Sequence, residues 1–274
     1  MNGLLRSYRI HLPTGYSQLT TLPLVIALHG GGGNPEQFAK DTGFDHKADA
    51  EGFIVVYPRG IGLLPTWDAI HCCGPAFNNK IDDVAFIRIL IDELIGTQHV
   101  DPKRVYVTGH SNGGMLSYRL GAELSDKIAA ISVSAGTIGG KANLRAPLVQ
   151  TQKPTNPVAV LAFHGKLDEH VRYDGGVTTK GLVVGRYDLS VADSIGFWVL
   201  ANNCTAVPTV TTNGQITVND YTGCDQNTEV TLYTIADQGH AWPGGTNGVI
   251  DPSTKDISAT DISWAFFKAH PKPN

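Results

Sequence analysis

The sequence lacks any apolar run long enough to cross a membrane. A transmembrane helix needs about 20 consecutive apolar residues, whereas the strongest run here, "LPLVIAL" at 22–28, gives way almost at once to glycines. The 21 basic and 25 acidic residues are scattered along the chain, without the basic cluster that contacts nucleic acid. We therefore expect a soluble protein that binds neither membrane nor nucleic acid.

Cysteine is scarce, and its four positions favour disulfides over metal binding. Cys204 and Cys224 flank a Thr/Val-rich segment with the turn signal Asn-Gly at 213–214, so a hairpin would bring the two thiols together. Cys72 and Cys73 are adjacent and could bond to each other, pair elsewhere or stay as thiols. Neither pair has the spacing of a zinc site, so no metal is expected. A disulfide indicates an oxidising, extracellular compartment.

Secretion normally needs a leader, and residues 1–16 lack the basic start, long apolar stretch and cleavage site of one. A secreted protein would therefore have lost its leader already. The chain of 274 residues is 42% apolar and has no internal linker, so we expect a single domain over residues 1–274. The sequence does not indicate an oligomeric state.

Hydrophobic runs alternate with segments of helical period along most of the chain. This alternation predicts an α/β fold in which a mostly parallel sheet carries helices on both faces. Two stretches rich in turn-forming residues, 136–156 and 205–227, are expected to form loops or a small hairpin. The predicted strands cover residues 5–12, 22–29, 53–57, 104–109, 128–134, 157–164 and 229–235, and the predicted helices cover 44–51, 82–97, 111–123, 190–202 and 258–269.

Reactive side chains collect where the predicted strands end, which is where parallel sheets form their ligand sites. The segment Gly109-His110-Ser111-Asn112-Gly113 joins a predicted strand to a predicted helix and matches the G-x-S-x-G nucleophile elbow. A serine on this tight turn has an unfavourable backbone conformation, and the glycines on either side leave space that a Cβ would fill. Ser111 is therefore the predicted nucleophile.

A serine hydroxyl becomes a good nucleophile when a base removes its proton. Among the ten histidines, His240 lies in a glycine-rich loop after a predicted strand and is the predicted base. His110 adjoins the serine, but its side chain must leave the turn in another direction, and His170 lies close to the candidate acid in sequence. His29 and His164 end strands and are expected to be buried, hydrogen-bonded residues of the framework.

The base in turn needs an acid to orient it. Asp168 lies just beyond a predicted strand and falls between Ser111 and His240 in the chain, which is the Ser…Asp…His order of hydrolases with a nucleophile elbow. Asp168 is therefore the predicted acid. Glu169 and Asp174 are close by and stay open as alternatives.

Acyl transfer also needs donors for the oxyanion, each of which lowers the barrier by about 3 to 4 kcal/mol. The backbone N–H of Asn112 is one predicted donor, and Gly31, in the glycine run 30–33, is the other, with Gly32 in reserve. The glycine run lacks the lysine and the spacing of phosphate-binding loops, which argues against a nucleotide site.

Two tryptophans lie in candidate loops. Trp242 stands two residues beyond the predicted base, and Trp67 follows the strand predicted at 53–57. Either indole could contact an acyl group, a phenolic ring or a sugar, and ordinary packing is the alternative.

Several ordered motifs resemble those of one family. They are "LPLVIALHGGGGN", "GFIVVYPRG", "RVYVTGHSNGGM", "FHGKLDEHVRYDGG" and "GHAWPGG", joined by "TW…CCG…DDVAFI" at 66–87. Over residues 4–270 the chain resembles the secreted α/β-hydrolase esterases grouped as polyhydroxybutyrate depolymerase-like or feruloyl esterase-like proteins. The resemblance implies the α/β-hydrolase fold and gives the triad roles to Ser111, Asp168 and His240.

The resemblance also implies an activity, that of a serine carboxylic-ester hydrolase that forms an acyl-enzyme and is expected to need no cofactor and no metal. Its implied substrates are feruloyl or acetyl esters of plant polysaccharides, or short polyester chains. A thioesterase or a peptidase on the same fold is an alternative, because the triad alone does not distinguish them. A noncatalytic, carbohydrate-binding relative is a further alternative, which the complete set of serine, acid, base and glycine loop disfavours.

Overall fold

The structure is a computed structural model that describes residues 4–17, 20–246 and 251–273. Its strands are β1 (Tyr8–His11), β2 (Leu22–Leu28), β3 (Ile54–Pro58), β4 (Val100–His110), β5 (Ala130–Ser134), β6 (Gly139–Lys141), β7 (Val149–Gln150), β8 (Ala159–Gly165), β9 (Gly176–Val177), β10 (Tyr187–Asp188), β11 (Thr209–Asn213), β12 (Ile216–Tyr221) and β13 (Val230–Ile235). Its helices are α1 (Pro35–Thr42), α2 (Phe44–Glu51), α3 (Gly74–Asn78), α4 (Asp83–Thr97), α5 (Asn112–Glu123), α6 (Val191–Ala201) and α7 (Ala259–Ala269).

The main sheet has nine strands in the order β1-β3-β2-β4-β5-β8-β13-β12-β11. The six strands from β3 to β13 in this order run parallel, whereas β1 at one edge and the β11–β12 hairpin at the other are antiparallel. The carboxyl ends of the parallel strands are in register, since His110 pairs with Ser134 and Gly165 pairs with Ile235. The loops that follow these strands therefore meet at one edge of the sheet.

Both faces of the sheet are covered. Along β2, Leu24, Ile26 and Leu28 belong to the apolar cluster formed with α4, α5 and α6, and the alternate residues Val25 and Ala27 belong to the cluster formed with α1, α2 and α7. Side chains of a strand alternate between faces, so a strand buried on both sides consists almost entirely of apolar residues. No helix within the described ranges is long and apolar enough to span a membrane.

The seven predicted strands and five predicted helices are all present, with ends that differ by a few residues. Helices α1 and α3 were not predicted from the sequence, although α1 carries ordinary boundary signals. Asn34 caps its start by accepting a hydrogen bond from Gln37 N–H, Pro35 occupies the first turn, and Gly43 closes it with a φ of 69°.

The two turn-rich stretches form small β structures. Residues 205–227 contain the β11–β12 hairpin, which extends the main sheet. Residues 136–156 contribute β6 and β7 to a second, four-stranded sheet in the order β7-β6-β10-β9. This second sheet brings the segment after β5 next to the segment that precedes α6.

The cysteines form two disulfides. Cys204 is bonded to Cys224, which is the pairing that the hairpin signal between them favours. Cys72 is bonded to its neighbour Cys73, and the peptide bond between them is cis. No described cysteine is therefore free.

Candidate active site

Ser111 lies on the turn between β4 and α5. Its φ of 57° and ψ of −122° fall in a region that side-chain-bearing residues rarely occupy. The turn can form because Gly109 and Gly113 have no Cβ. A Cβ at Gly109 would overlap the carbonyl of Gly113, and a Cβ at Gly113 would overlap the carbonyls of Leu28 and His29. The Ser111 N–H is also anchored, since it donates to the next strand of the sheet. The turn therefore presents the serine at the carboxyl edge of the sheet.

His240 and Asp168 form a buried hydrogen-bonded pair. His240 Nδ1 donates to Asp168 Oδ2 at 2.7 Å, and the two side chains are 1% and 0% exposed. Asp168 Oδ1 accepts the backbone N–H groups of His170 and Val171 at 2.8 and 2.9 Å. Burial alone would raise the pKa of Asp168, but the His240 and His164 side chains outweigh burial and hold that pKa well below its usual range. The carboxylate is therefore ionised and held from both sides.

The two alternative acids lie elsewhere. Glu169 is exposed and forms an ion pair with Lys180. Asp174 is exposed as well. The structure thus brings Asp168 to His240, and neither of its acidic neighbours.

The His240 ring contacts two other imidazoles. The centroid of the His110 ring is 4.7 Å from that of His240, and the His170 ring stacks on it at 4.9 Å. Burial, and then the charge of His240, lowers the pKa of both flanking histidines, so both are neutral near pH 7. Because His110 adjoins Ser111, these contacts bring the His240 loop beside the serine turn. In the described part of the chain no hydrogen bond joins Ser111 Oγ to the His240 ring.

His29 fixes the glycine loop that follows β2. Its Nδ1 donates to Gly30 O at 2.7 Å, and its Nε2 accepts the Gly60 N–H at 3.0 Å. Burial lowers the pKa of His29 to about 4, so the ring keeps the single proton that this pattern requires. His29 is thus the buried framework residue that the sequence predicts.

The glycine loop lies against the start of α5. A Cβ built on Gly31 would lie 3.7 Å from Asn112 Cβ. The Gly32 N–H already donates to Pro65 O at 2.7 Å, whereas no described residue accepts from the N–H groups of Gly31 and Asn112. Of the two candidate glycines, Gly31 is therefore the one whose amide is open.

A cavity of about 230 Å³ adjoins these groups. Trp242 lines it and is held by a hydrogen bond from its Nε1 to Thr260 Oγ1 at 3.1 Å and by an edge contact with Phe38. The cavity is lined by His29, Gly30, Gly31, Gly32, Gly33, Asn34, Gln37, Phe38, Asp41, His110, His240, Ala241 and Trp242. Trp242 thus lies where a ligand in the cavity would meet it.

The chain has known relatives. A model of the family described as "Esterase PHB depolymerase" matches residues 6–195. The chain belongs to this family. Feruloyl esterase B of Piromyces equi is 31% identical over 253 residues, which cover 89% of this chain and 44% of that protein. Poly(3-hydroxybutyrate) depolymerase of Ralstonia pickettii is 28% identical over 267 residues, covering 89% and 52% respectively. The chain thus spans about half the length of these two curated relatives.

Solved structures confirm the fold. An acetyl xylan esterase from Aspergillus awamori superposes with a TM-score of 0.68 over 96% of this chain and 93% of that chain, at 15% sequence identity. The expected α/β-hydrolase fold and the expected kinship with polyhydroxybutyrate depolymerase-like and feruloyl esterase-like proteins are both confirmed. The protein therefore belongs to a family of carboxylic ester hydrolases.

The prediction that Trp67 contacts substrate is wrong. Trp67 is 0% exposed and does not line the cavity, so it cannot contact a substrate there. Its Nε1 donates to His29 O at 2.9 Å, its backbone N–H donates to Asn112 Oδ1 at 2.8 Å, and its carbonyl accepts from Asn112 Nδ2 at 3.1 Å. Trp67 packs beneath the glycine loop and joins this loop to the start of α5.

Two groups that position the candidate site were not predicted from the sequence. One is the Asn112 side chain, which holds the Trp67 backbone at two points. The other is Asp251, whose Oδ2 accepts the His240 backbone N–H at 2.6 Å. Nothing in the local sequence marks Asp251, because the partner that gives it a role lies on the far side of a loop.

Proposed function

We propose that the protein is a serine carboxylic-ester hydrolase that forms a covalent acyl-enzyme. The observation that carries the proposal is the 2.7 Å hydrogen bond from His240 Nδ1 to buried Asp168, beside the cavity and the strained Ser111 turn. A histidine held through Nδ1 keeps Nε2 available as a base for a serine hydroxyl. Catalytic hydrogen bonds are often long before substrate binds, so the serine–imidazole contact is expected to close in the complex.

The first step forms the acyl-enzyme. Ser111 Oγ bonds to the ester carbonyl carbon, its proton passes to His240 Nε2, and the carbonyl electron pair moves onto the oxygen. When the carbonyl re-forms, the bond to the alcohol oxygen breaks and the alcohol takes the proton from His240. Water then attacks the acyl-enzyme in the same way and releases the acid. Asp168 orients the imidazole and stabilises its positive charge.

The oxyanion is proposed to bind the backbone N–H groups of Gly31 and Asn112. Gly31 is preferred to Gly32 because the Gly32 N–H is already engaged with Pro65. The hydrogen bonds of Trp67 to Asn112 and to His29 support this assignment, since together they join the start of α5 to the glycine loop. Preorganised donors of this kind act without reorganisation as charge develops.

The proposed substrates are feruloyl or acetyl esters of plant polysaccharides, or short polyester chains. Relatives named feruloyl esterase and poly(3-hydroxybutyrate) depolymerase support this choice. Trp242 is proposed to contact the part of the ester that enters the cavity. We also infer one catalytic domain over residues 1–274 and an extracellular location, which the two disulfides support.

Hydrolysis of p-nitrophenyl acetate and methyl ferulate by the wild type and Ser111→Ala tests the proposal. The variant is expected to lose about a thousandfold or more in kcat, because the covalent route needs the hydroxyl. Ser7→Ala, which changes an exposed serine, is the matched control and should keep wild-type rates. Equal rates for the wild type and Ser111→Ala would reject the assignment. A panel of feruloylated, acetylated and polyester substrates then ranks the substrate classes.

A further inference from the structure

The cavity beside His240 contains one carboxylate that the proposed chemistry does not use. Among the residues that the structure describes, Asp41, in α1, is the only acidic one that lines the cavity, and neither lysine nor arginine lines it. Two lining histidines, His29 and His110, have lowered pKa values and carry no charge near neutral pH. Within the described lining, a bound group therefore meets one fixed negative charge, and the positive charge that His240 gains during the proposed reaction is offset by Asp168.

Asp41 is held in place and keeps one oxygen open. Its Oδ1 accepts Gln37 Nε2–H at 2.8 Å, one turn earlier on the same helix. Its backbone carbonyl accepts the Thr246 N–H at 3.1 Å, which ties this end of α1 to the loop after His240. Within the described ranges no group donates to Oδ2 and no cation forms an ion pair with the carboxylate. The open oxygen is an unused acceptor at the cavity surface.

We propose that Asp41 determines which esters this cavity admits, by accepting a hydrogen bond from an uncharged end group and repelling an end group that is a carboxylate. The inference rests on the proposed function, because it assumes that part of the ester occupies the cavity during hydrolysis. Two like charges about 6 Å apart repel with an energy that depends on the local dielectric, and intermediate values correspond to about a tenfold loss of binding. A neutral amide or hydroxyl avoids this repulsion and can donate to Oδ2.

Pairs of esters that differ only in the end group test the inference. On the acyl side the pair is methyl 4-carbamoylcinnamate and methyl 4-carboxycinnamate. On the alcohol side it is 4-carbamoylphenyl acetate and 4-carboxyphenyl acetate. For each pair we compare kcat/KM of the amide ester with kcat/KM of the carboxylate ester at about pH 8. This ratio is divided by the ratio of the two rate constants for uncatalysed alkaline hydrolysis, which corrects for the intrinsic reactivity of the esters. The wild type is expected to favour the amide by about tenfold or more in at least one pair.

Two variants with opposite effects keep the inference open to refutation. Asp41→Asn removes the charge and keeps the shape, so the preference for the amide should fall by about fivefold or more. Asn34→Asp adds a second negative charge to the lining and keeps the oxygen that accepts the Gln37 N–H, so the preference should rise. Glu36→Gln is the matched control, because it removes one negative charge from an exposed position of the same helix outside the cavity, and its ratio should equal that of the wild type.

Raised ionic strength gives an independent readout, since about 1 M salt should reduce the wild-type preference. A ratio that stays the same in Asp41→Asn for both ester pairs, or that changes equally in Glu36→Gln, would overturn the inference. Such a result would leave the proposed function standing, provided the wild type hydrolyses the neutral esters and Ser111→Ala does not. If the wild type hydrolyses none of the esters, both proposals fall.

Discussion

Two buried histidine–carboxylate pairs in this protein have nearly the same hydrogen-bond length, but His240 donates through Nδ1 and His71 through Nε2, and their surroundings differ. His240 donates to Asp168 at 2.7 Å, and His71 donates to Asp188 at 2.8 Å, with all four side chains almost completely buried. The first pair lies beside a cavity. The second lies in the core, where Arg186 donates to both oxygens of Asp188 through Nε and Nη2.

The difference shows why hydrogen-bond geometry alone does not make an active site. The charge of Asp188 is balanced by a guanidinium, so the ion pair and the histidine together form a structural joint between the loop before α3 and the second sheet. Asp168 is held instead by the backbone N–H groups of His170 and Val171, which orient the carboxylate without cancelling its charge. Its negative charge can therefore act on the imidazole of His240.

The largest difference between the pairs is expected in catalysis. Asp168→Asn should lower kcat for p-nitrophenyl acetate by about a thousandfold to ten-thousandfold, because an amide favours the wrong imidazole tautomer and does not stabilise its charge. Asp188→Asn should change the kcat per folded molecule by less than about threefold. The measurement is steady-state kinetics on both variants, with each rate divided by the concentration of folded protein. Similar losses in both would remove the distinction between a catalytic and a structural pair.

The second difference concerns stability. Asp188→Asn leaves Arg186 buried without its counter-charge, which should cost about 3 kcal/mol of unfolding free energy. For a protein of this size that loss corresponds to a fall in Tm of about 6 to 12 °C. Urea unfolding at neutral pH measures the change. Asp168→Asn is the comparison variant, and a larger loss of stability there than in Asp188→Asn would contradict the assignment of roles.

A smaller effect is expected from Asp251, which supports the catalytic pair through the His240 backbone. Asp251→Asn keeps an oxygen that can accept from the His240 N–H but removes the charge, whereas Asp251→Ala removes the acceptor. The alanine variant should lose about tenfold in kcat because the His240 loop is less well held, and the asparagine variant should recover much of that loss. Equal losses in the two variants would indicate that the charge of Asp251, and not its hydrogen bond, is what matters.

The smallest effect is a dependence on pH. Burial acts to raise the pKa of Asp188, but the hydrogen bond from His71 and the charge of Arg186 outweigh it and lower that pKa below its usual value. The resulting stabilisation is fully present above the unfolded pKa of about 3.9 and is lost as the pH falls through the folded pKa. The Tm difference between the wild type and Asp188→Asn should therefore narrow between pH 7 and about pH 3. A Tm difference that widens as the pH falls would contradict the lowered pKa of Asp188.

The motifs at strand ends made much of the fold and site predictable. The G-x-S-x-G turn at Ser111 and the chain order Ser…Asp…His depend on local backbone needs and on strand order, which a sequence displays directly. The seven predicted strands were recognisable because each is an apolar run bounded by turn residues. The choice of Asp168 over Glu169 was harder, because three acids lie within one loop and only tertiary contacts separate them.

The sequence does not show which side chains of a loop point into the core and which line the cavity. Trp67 and Trp242 look alike in sequence, since both are tryptophans in loops near candidate residues. Trp67 is turned into the core by its hydrogen bonds to Asn112 and His29, and Trp242 lines the cavity because α1 packs against it. The Arg186–Asp188 ion pair is local, since the two residues are two positions apart, but the sequence did not show that both side chains would be buried against His71.

Labelling with a fluorophosphonate, followed by peptide mass spectrometry, is the most direct test of the claim that Ser111 is the nucleophile activated by His240 and Asp168. The expected result is one phosphonyl adduct on Ser111 in the wild type, formed at about a thousandth of that rate or less in Asp168→Asn, and at the wild-type rate in Asp188→Asn. An adduct on a different residue, or hydrolysis of esters by a protein whose Ser111 is never labelled, would contradict the claim.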